Sequence, residues 1–263
     1  MVNGKSQIET LIIQCQHGSA QERSAAIADL EEMGAQEAVP VLLELLDYPD
    51  VGVRANLAHA LGQLGNESVG AVLLTLLTDT DALVRIQAAE ALGILSYTAG
   101  LDALVDTLHQ DSDPLVRLHA AEALGNLKDF KALPALVTAL DDPDESVRAY
   151  VADSIGRLGA VSVSGVLDAK LVSERSVFAK AYLLAASYRL GNQKSLQSLI
   201  QLTMTADDNM AMTMLNLIVE LATAKNAVDL KNLIEPITQS RPTLSLEVDS
   251  LIKRLDAIKI KSE

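Results

Sequence analysis

The sequence predicts an all-α fold, an α-solenoid superhelix of about eight helical hairpins with a period of about 31 residues. Three observations carry that expectation. The stretch DALVRIQAAEALGIL at 81–95 is copied as DPLVRLHAAEALGNL at 113–127, and self-similarity at a fixed period marks stacked supersecondary units. A Val-Arg pair recurs at Arg54, Arg85, Arg117 and Arg148, with spacings of 31, 32 and 31 residues. A glycine follows each arginine by eight residues, at Gly62, Gly93, Gly125 and Gly156. Counting eleven residues back from Gly34 and Gly191 extends the series to Arg23 and Lys180, and the phase next reaches Met212. One array is expected over 1–263, regular over about 20–191 and degenerate, as capping units are, over about 192–263.

In chain order, Ile8, Leu11, Ile12 and Cys15 share one helical face in the first 17 residues. Cys15 therefore reads as core, with no cation at helical spacing to lower its pKa. Gly18 and Ser19 break that helix, and 21–33 forms the next, closed by Gly34 in a left-handed cap. Each later unit opens with an aliphatic helix, here called A: 39–46, 69–77, 101–108, 133–140 and 161–171. Pro40 and Pro134 stand near helix starts, where a missing N–H does no harm. A tight acidic turn follows, and its last aspartate (Asp50, Asp81, Asp113 or Asp144) is placed to cap the second helix, B. Each B helix carries the arginine four residues after its cap, one turn away. Gly inside a helix costs about 1 kcal/mol against Ala, so its recurrence implies a neighbouring backbone at close range. Cap, turn and an inter-repeat ladder account for the recurring Asp and Arg; specificity belongs to the positions that vary. Beyond Gly159 the pattern decays. Ser173-Glu-Arg-Ser176 replaces the acidic turn, and Met204, Met210, Met212 and Met214 cluster as adaptable core or, alternatively, a docking groove. Pro236 interrupts a last pair at 227–239 and 244–258, and the tail KIKSE is expected to fray.

Composition narrows the function classes. With 21 Lys and Arg against 35 Asp and Glu the net charge is −14, which argues against phosphate backbones and anionic membrane surfaces as partners. Trp is absent and Phe and Tyr number two and five, so the core is built from small and aliphatic side chains. Cys15 is the single cysteine, and the first residues lack the layout of a secretion signal. A cytoplasmic protein in a reducing compartment is the expectation, with no metal and no cofactor assigned.

The pattern D-x-x-V-R-x-x-A-A-x-A-L-G, at 81–93 and 113–125 and more loosely at 50–62 and 144–156, resembles HEAT repeats. Its short period is similar to that of the phycobilisome-lyase-like HEAT family. That family includes E/F-type bilin lyases, which attach or remove linear tetrapyrroles on phycobiliprotein cysteines, and relatives acting in phycobilisome turnover. The matched residues are scaffold residues, so the resemblance implies a fold and carries over no catalytic residue.

In such stacks the B helices line a concave face, where positions two, five and nine after the cation point outward. The second-position row includes His119, Tyr150 and Tyr182; the fifth, His59, Glu90, Glu122, Asp153 and Ala185; the ninth, Arg157 and Arg189. Tyr and Arg are hot-spot residue types, so Tyr150, Asp153, Arg157, Tyr182, Arg189, His119, Glu122 and Glu90 form the candidate partner-binding face. His119 and Glu122 with Glu90 make a weak metal set. No phosphate loop, nucleophile elbow or C-x-x-C motif is present in the sequence. The first reading is a non-enzymatic scaffold or adaptor docking a protein client, with phycobilisome assembly or turnover as the first setting to consider. A bilin lyase or isomerase is the alternative, in which His119, Glu122 or Asp153 exchanges protons and Arg157 or Arg189 pairs with propionates. An adaptor for another cofactor pathway, such as iron–sulfur cluster assembly, is the third.

Overall fold

The computed structural model describes residues 4–260. Every regular element among the described residues is a helix, and the chain divides into two compact units, 1–135 and 136–263. In the first unit, α1 (Gly4–His17) pairs with α2 (Ala20–Glu32), and α3 (Val39–Leu42) precedes α4 (Val51–Leu64). Then come α5 (Gly70–Leu76) with α6 (Ala82–Ile94), and α7 (Leu101–Gln110) with α8 (Pro114–Leu127). The division falls within α9 (Leu133–Ala139). The second unit continues with α10 (Glu145–Leu158), α11 (Ser164–Ser173), α12 (Val177–Arg189), α13 (Gln193–Thr205) and α14 (Asp208–Glu220). It ends with α15 (Ala227–Ile234), α16 (Ile237–Ser240) and α17 (Ser245–Ile260).

Four of the five A helices are shorter than their aliphatic runs suggest, while α7 extends two residues past its run, to Gln110. Most open with a one-turn 3-10 segment, as at Glu67–Val69 and Val161–Val163, so the α-helical part begins at Gly70 or Ser164. The run expected over 39–46 is α-helical only to Leu42 and tightens into a 3-10 turn at Leu43–Leu45. The B helices begin as their caps require: Asp50, Asp81, Asp113 and Asp144 each accept a backbone N–H of the first turn. Gly34 ends α2 at φ +64°.

Successive B helices pack closely within each unit, and the recurring glycine makes that approach possible. A Cβ built on Gly62 would lie 2.7 Å from the Ala91 Cβ, and one on Gly156 would lie 2.9 Å from the Ala186 Cα. Alanines and leucines such as Leu57, Leu61, Leu92 and Leu124 fill the seams with no exposure to solvent. Beyond Gly191 the register changes, and α12 packs far more extensively on α10 than on α14. The Gly position is Tyr188 there, too large for backbone contact, and its hydroxyl accepts from the Asn226 amide at 3.1 Å. Here Met214, Leu215, Ile218, Leu230, Ile234 and Val248 form a broad apolar cluster. Met204, Met210 and Met212 pack half-buried against it and Met214 is fully enclosed, so the methionines are core rather than a groove. Pro236 separates α15 from α16 as expected. Of the tail expected to fray, 261–263 lie outside the described residues, while α17 itself runs through Ile260.

Candidate functional site

The recurring charges of the B helices are taken up internally. Arg54 grips Asp79 with Nε and Nη2 at 2.8 and 3.0 Å, while Nη1 donates to the Tyr48 and Pro49 carbonyls. Arg85 holds Asp111 at 2.7 and 2.9 Å in the same way, and Arg148 holds Glu174 at 2.7 and 2.9 Å. The partner is thus an acid in the next turn, 25 or 26 residues on, and not the cap aspartate one helical turn back. Each of these acids also accepts the N–H of a residue at the following cap, as from Asp81, Asp113 and Ser176. Bidentate, charge-assisted bonds of this kind fix both distance and orientation.

These bonds set the protonation of the ladder. Arg54 holds the Asp79 carboxyl below its ordinary range. At Asp111, burial pushes up but Arg85 and the Asp113 amide outweigh it. Glu174, whose side chain is only 3% exposed, is brought down to about 2, chiefly by Arg148. The first cation departs from the pattern: Arg23 donates to the Gly18 and Gln16 carbonyls at 2.8 and 2.6 Å and to that of Cys15, and lies 4.8 Å over the Tyr48 ring. Burial pushes the Cys15 thiol up to about 11; Arg23, which the sequence spacing did not place beside it, opposes this but loses.

Of the eight candidate partner-binding residues, five come together in the second unit. The Tyr150 and Tyr182 rings stack at 5.6 Å across α10 and α12, and Phe178 tilts against Tyr182 at 5.0 Å. Next to them Asp153 is shared by two arginines, Arg157 Nε at 3.0 Å on its own helix and Arg189 on the next. Burial, Tyr150 and Asp153 together raise the Tyr182 phenol well above its ordinary range, so it is a neutral hydrogen-bonding group at physiological pH. Glu220 at the end of α14 was not anticipated. Its carboxyl is raised by burial and by Asp153, against the opposing charges of Arg189, Arg254 and Arg157.

In the first unit His119 and Glu122 share one face of α8, with His119 Nδ1 3.9 Å from the carboxylate and outside hydrogen-bond range. Glu90 is half-buried on α6. His59 on α4 instead ties neighbours together, with Nε2 3.2 Å from Glu31 and Nδ1 3.0 Å from Gln87. No three His, Cys, Asp or Glu side chains among the described residues are grouped to hold a metal ion. The outward rows hold only partly: Ala185, expected at the surface, is fully buried because the irregular C-terminal hairpins pack over that part of α12.

No curated protein sequence matches the chain significantly. Among solved structures it is similar to the complex of CpcE and CpcF of phycocyanin lyase from Nostoc sp. PCC7120, with a TM-score of 0.61 at 18% identity over 84% of this chain and 94% of that one. Kap121p bound to Pho4p is similar at a TM-score of 0.59 and 14% identity, over 97% of this chain and 34% of that chain. At such identities the likeness is one of fold. No helix among the described residues is long and apolar enough to cross a membrane. The model of HEAT repeats matches residues 8–93 and 101–176, and the chain belongs to the HEAT-repeat family.

Proposed function

We propose that this protein is a non-enzymatic scaffold that docks a protein client on its B helices, with Tyr150, Tyr182, Asp153, Arg157 and Arg189 as the principal contacts. The single observation that supports this reading is the stacked tyrosine pair beside an aspartate shared by two arginines. Tyr and Arg together dominate binding energy at protein interfaces, and a pre-ordered stack loses little freedom on binding. The similar structures from the lyase complex and from Kap121p with Pho4p are both of proteins bound to proteins, which favours a protein client. With the lyase likeness, a phycobiliprotein or another component of phycobilisome assembly or turnover is the client proposed.

The test compares the native protein with a Tyr150→Ala/Arg157→Ala variant, immobilised and titrated with purified phycocyanin subunits with and without phycocyanobilin. Native protein is expected to retain the subunit, and the variant to lose roughly 30-fold or more in affinity, a hot-spot-sized effect, with thermal unfolding nearly unchanged. Equal retention by both proteins would remove this face from consideration. Covalent appearance of the bilin spectrum on the subunit would replace the scaffold reading with a lyase one.

A further inference from the structure

We infer that the groove at the end of the arginine ladder, between α11, α12 and α13, is a second binding site, which takes a carboxylate side chain carried on an aliphatic peptide segment. It does not depend on the Tyr150 face, because none of those contacts lines it. The groove has a volume of about 660 Å³ and is lined by Leu171, Leu184 and Leu202, by Lys180 and Lys194, and by Gln and Ser or Thr side chains.

Its position explains its chemistry. The matching groove at the Arg85 rung, three cations earlier and in the first unit, contains Arg85 and Asp111 and is smaller, about 470 Å³. Adding 26 to Lys180, the spacing that links Arg85 to Asp111 and Arg148 to Glu174, leads to Ala206. Ala206 has the backbone of a ladder acid: it caps α13 in an extended conformation with its N–H on Leu202 O, as Asp111 does on Thr107 O and Glu174 on Lys170 O. The place of the carboxylate is therefore built, but the side chain ends at Cβ. Lys180 is left half-buried with no hydrogen bond or ion pair from its ammonium among the described residues. Two lysine side chains in a groove that three leucines also line attract an anion carried on apolar atoms. They do so on a chain whose net charge of −14 otherwise repels one. An acidic side chain with an aliphatic neighbour meets both demands, and it restores from outside the pair that every intact rung makes from within.

The probe is a fluorescein-labelled peptide, LVDTLHQDSD, copied from 104–113, whose Asp111 closes the equivalent rung; its anisotropy is followed on titration with the full chain at physiological salt. Three controls accompany it: the peptide with Asp111→Asn, a Lys180→Ala/Lys194→Ala protein, and an Ala206→Asp protein. Saturable binding to the native protein is expected. It should weaken roughly tenfold with the amidated peptide and with the lysine variant, and should likewise weaken with Ala206→Asp, whose own carboxylate fills the place and whose unfolding midpoint should rise. No saturation below about 1 mM, or equal affinity for the native and Lys180→Ala/Lys194→Ala proteins, would overturn the assignment. So would undiminished binding by a folded Ala206→Asp protein.

Discussion

The rungs that carry the ladder and the hairpins beyond Lys180 solve the same stacking problem with different forces. In the rungs, small residues let helix backbones meet, as at Gly62 and Gly156, and a bidentate Arg–carboxylate pair pins each turn to the next. After Lys180 both devices stop together. Tyr188 stands at the glycine position and Ala206 at the acid position, and stability passes to the large apolar cluster around Met214 and Ile218. The ion pairs remaining there, such as Lys231 with Asp256, involve exposed partners, which contribute little. A rung is specified by geometry and repeats; a cluster is specified by volume and does not.

The sharpest way to break this contrast is to remove one cation from each region. Arg148→Ala strands the Glu174 carboxylate, 3% exposed, without its counter-charge. Losing one partner of a buried pair costs roughly 3–5 kcal/mol. Lys180→Ala removes the corresponding cation where no acid answers it, and should stay within about 0.5 kcal/mol. Urea unfolding of both variants measures the difference; similar losses would mean that the ladder is not what holds the rungs.

Acid should separate the two regions next. Glu174 has a folded-state pKa of about 2 against an ordinary 4.5, and Asp79 and Asp111 are lowered in the same sense. A lowered carboxyl contributes stability that is complete above its ordinary pKa and disappears as pH falls through the folded-state value. For Glu174 that window runs from 4.5 down to about 2, and the contribution is on the order of 3 kcal/mol. Stability measured by denaturant between pH 6 and pH 3 should fall, and Glu174→Gln should flatten the profile while lowering its plateau. An unchanged slope in that variant would assign acid sensitivity elsewhere.

Close helix contact is tested at Gly62. Alanine there gains about 1 kcal/mol of helix propensity, yet its Cβ would sit 2.7 Å from the Ala91 Cβ. Overpacking of that kind costs roughly 1–3 kcal/mol, so the net change should be a loss, read as a lowered denaturation midpoint. A stabilised variant would show that the seam between α4 and α6 can open.

Much of this was legible in the sequence, and the misses have identifiable causes. Period, caps, close-packing glycines and the placing of Cys15 in the core all follow from residues that recur or share a helix face. The position that answers each cation was equally periodic, running Tyr48, Asp79, Asp111, Asp142, Glu174 and Ala206, each 25 or 26 residues after its cation, and it is acidic at all but the first and last. It was missed because the cap aspartate four residues before each arginine offered a nearer partner on the same helix. Tyr150 with Tyr182, and Arg157 with Arg189, were grouped correctly, since equal offsets on neighbouring helices bring side chains together. Burial of Ala185 and the arrival of Glu220 were not readable, because both depend on hairpins that have left the period.

Glu220 gives the smallest and most local test of where the regular stack meets its irregular end. Its carboxyl is raised by burial and by the charge of Asp153, with Arg189, Arg254 and Arg157 opposing. A raised folded-state pKa means that the charged form is disfavoured in the folded protein, so the group's contribution is lost as pH rises through that value. Glu220→Gln should therefore stabilise the protein at neutral pH and make little difference at pH 4, where the native carboxyl is already taking up its proton. Glu220 is an exposed residue whose carboxyl is only partly desolvated and is screened by salt, which holds the gain to about 0.5 kcal/mol or less. A double-mutant cycle with Asp153→Asn isolates the cause. If the gain from Glu220→Gln persists undiminished when Asp153 is neutral, desolvation alone raises the carboxyl; if it disappears, the Asp153 charge that two arginines share still reaches α14.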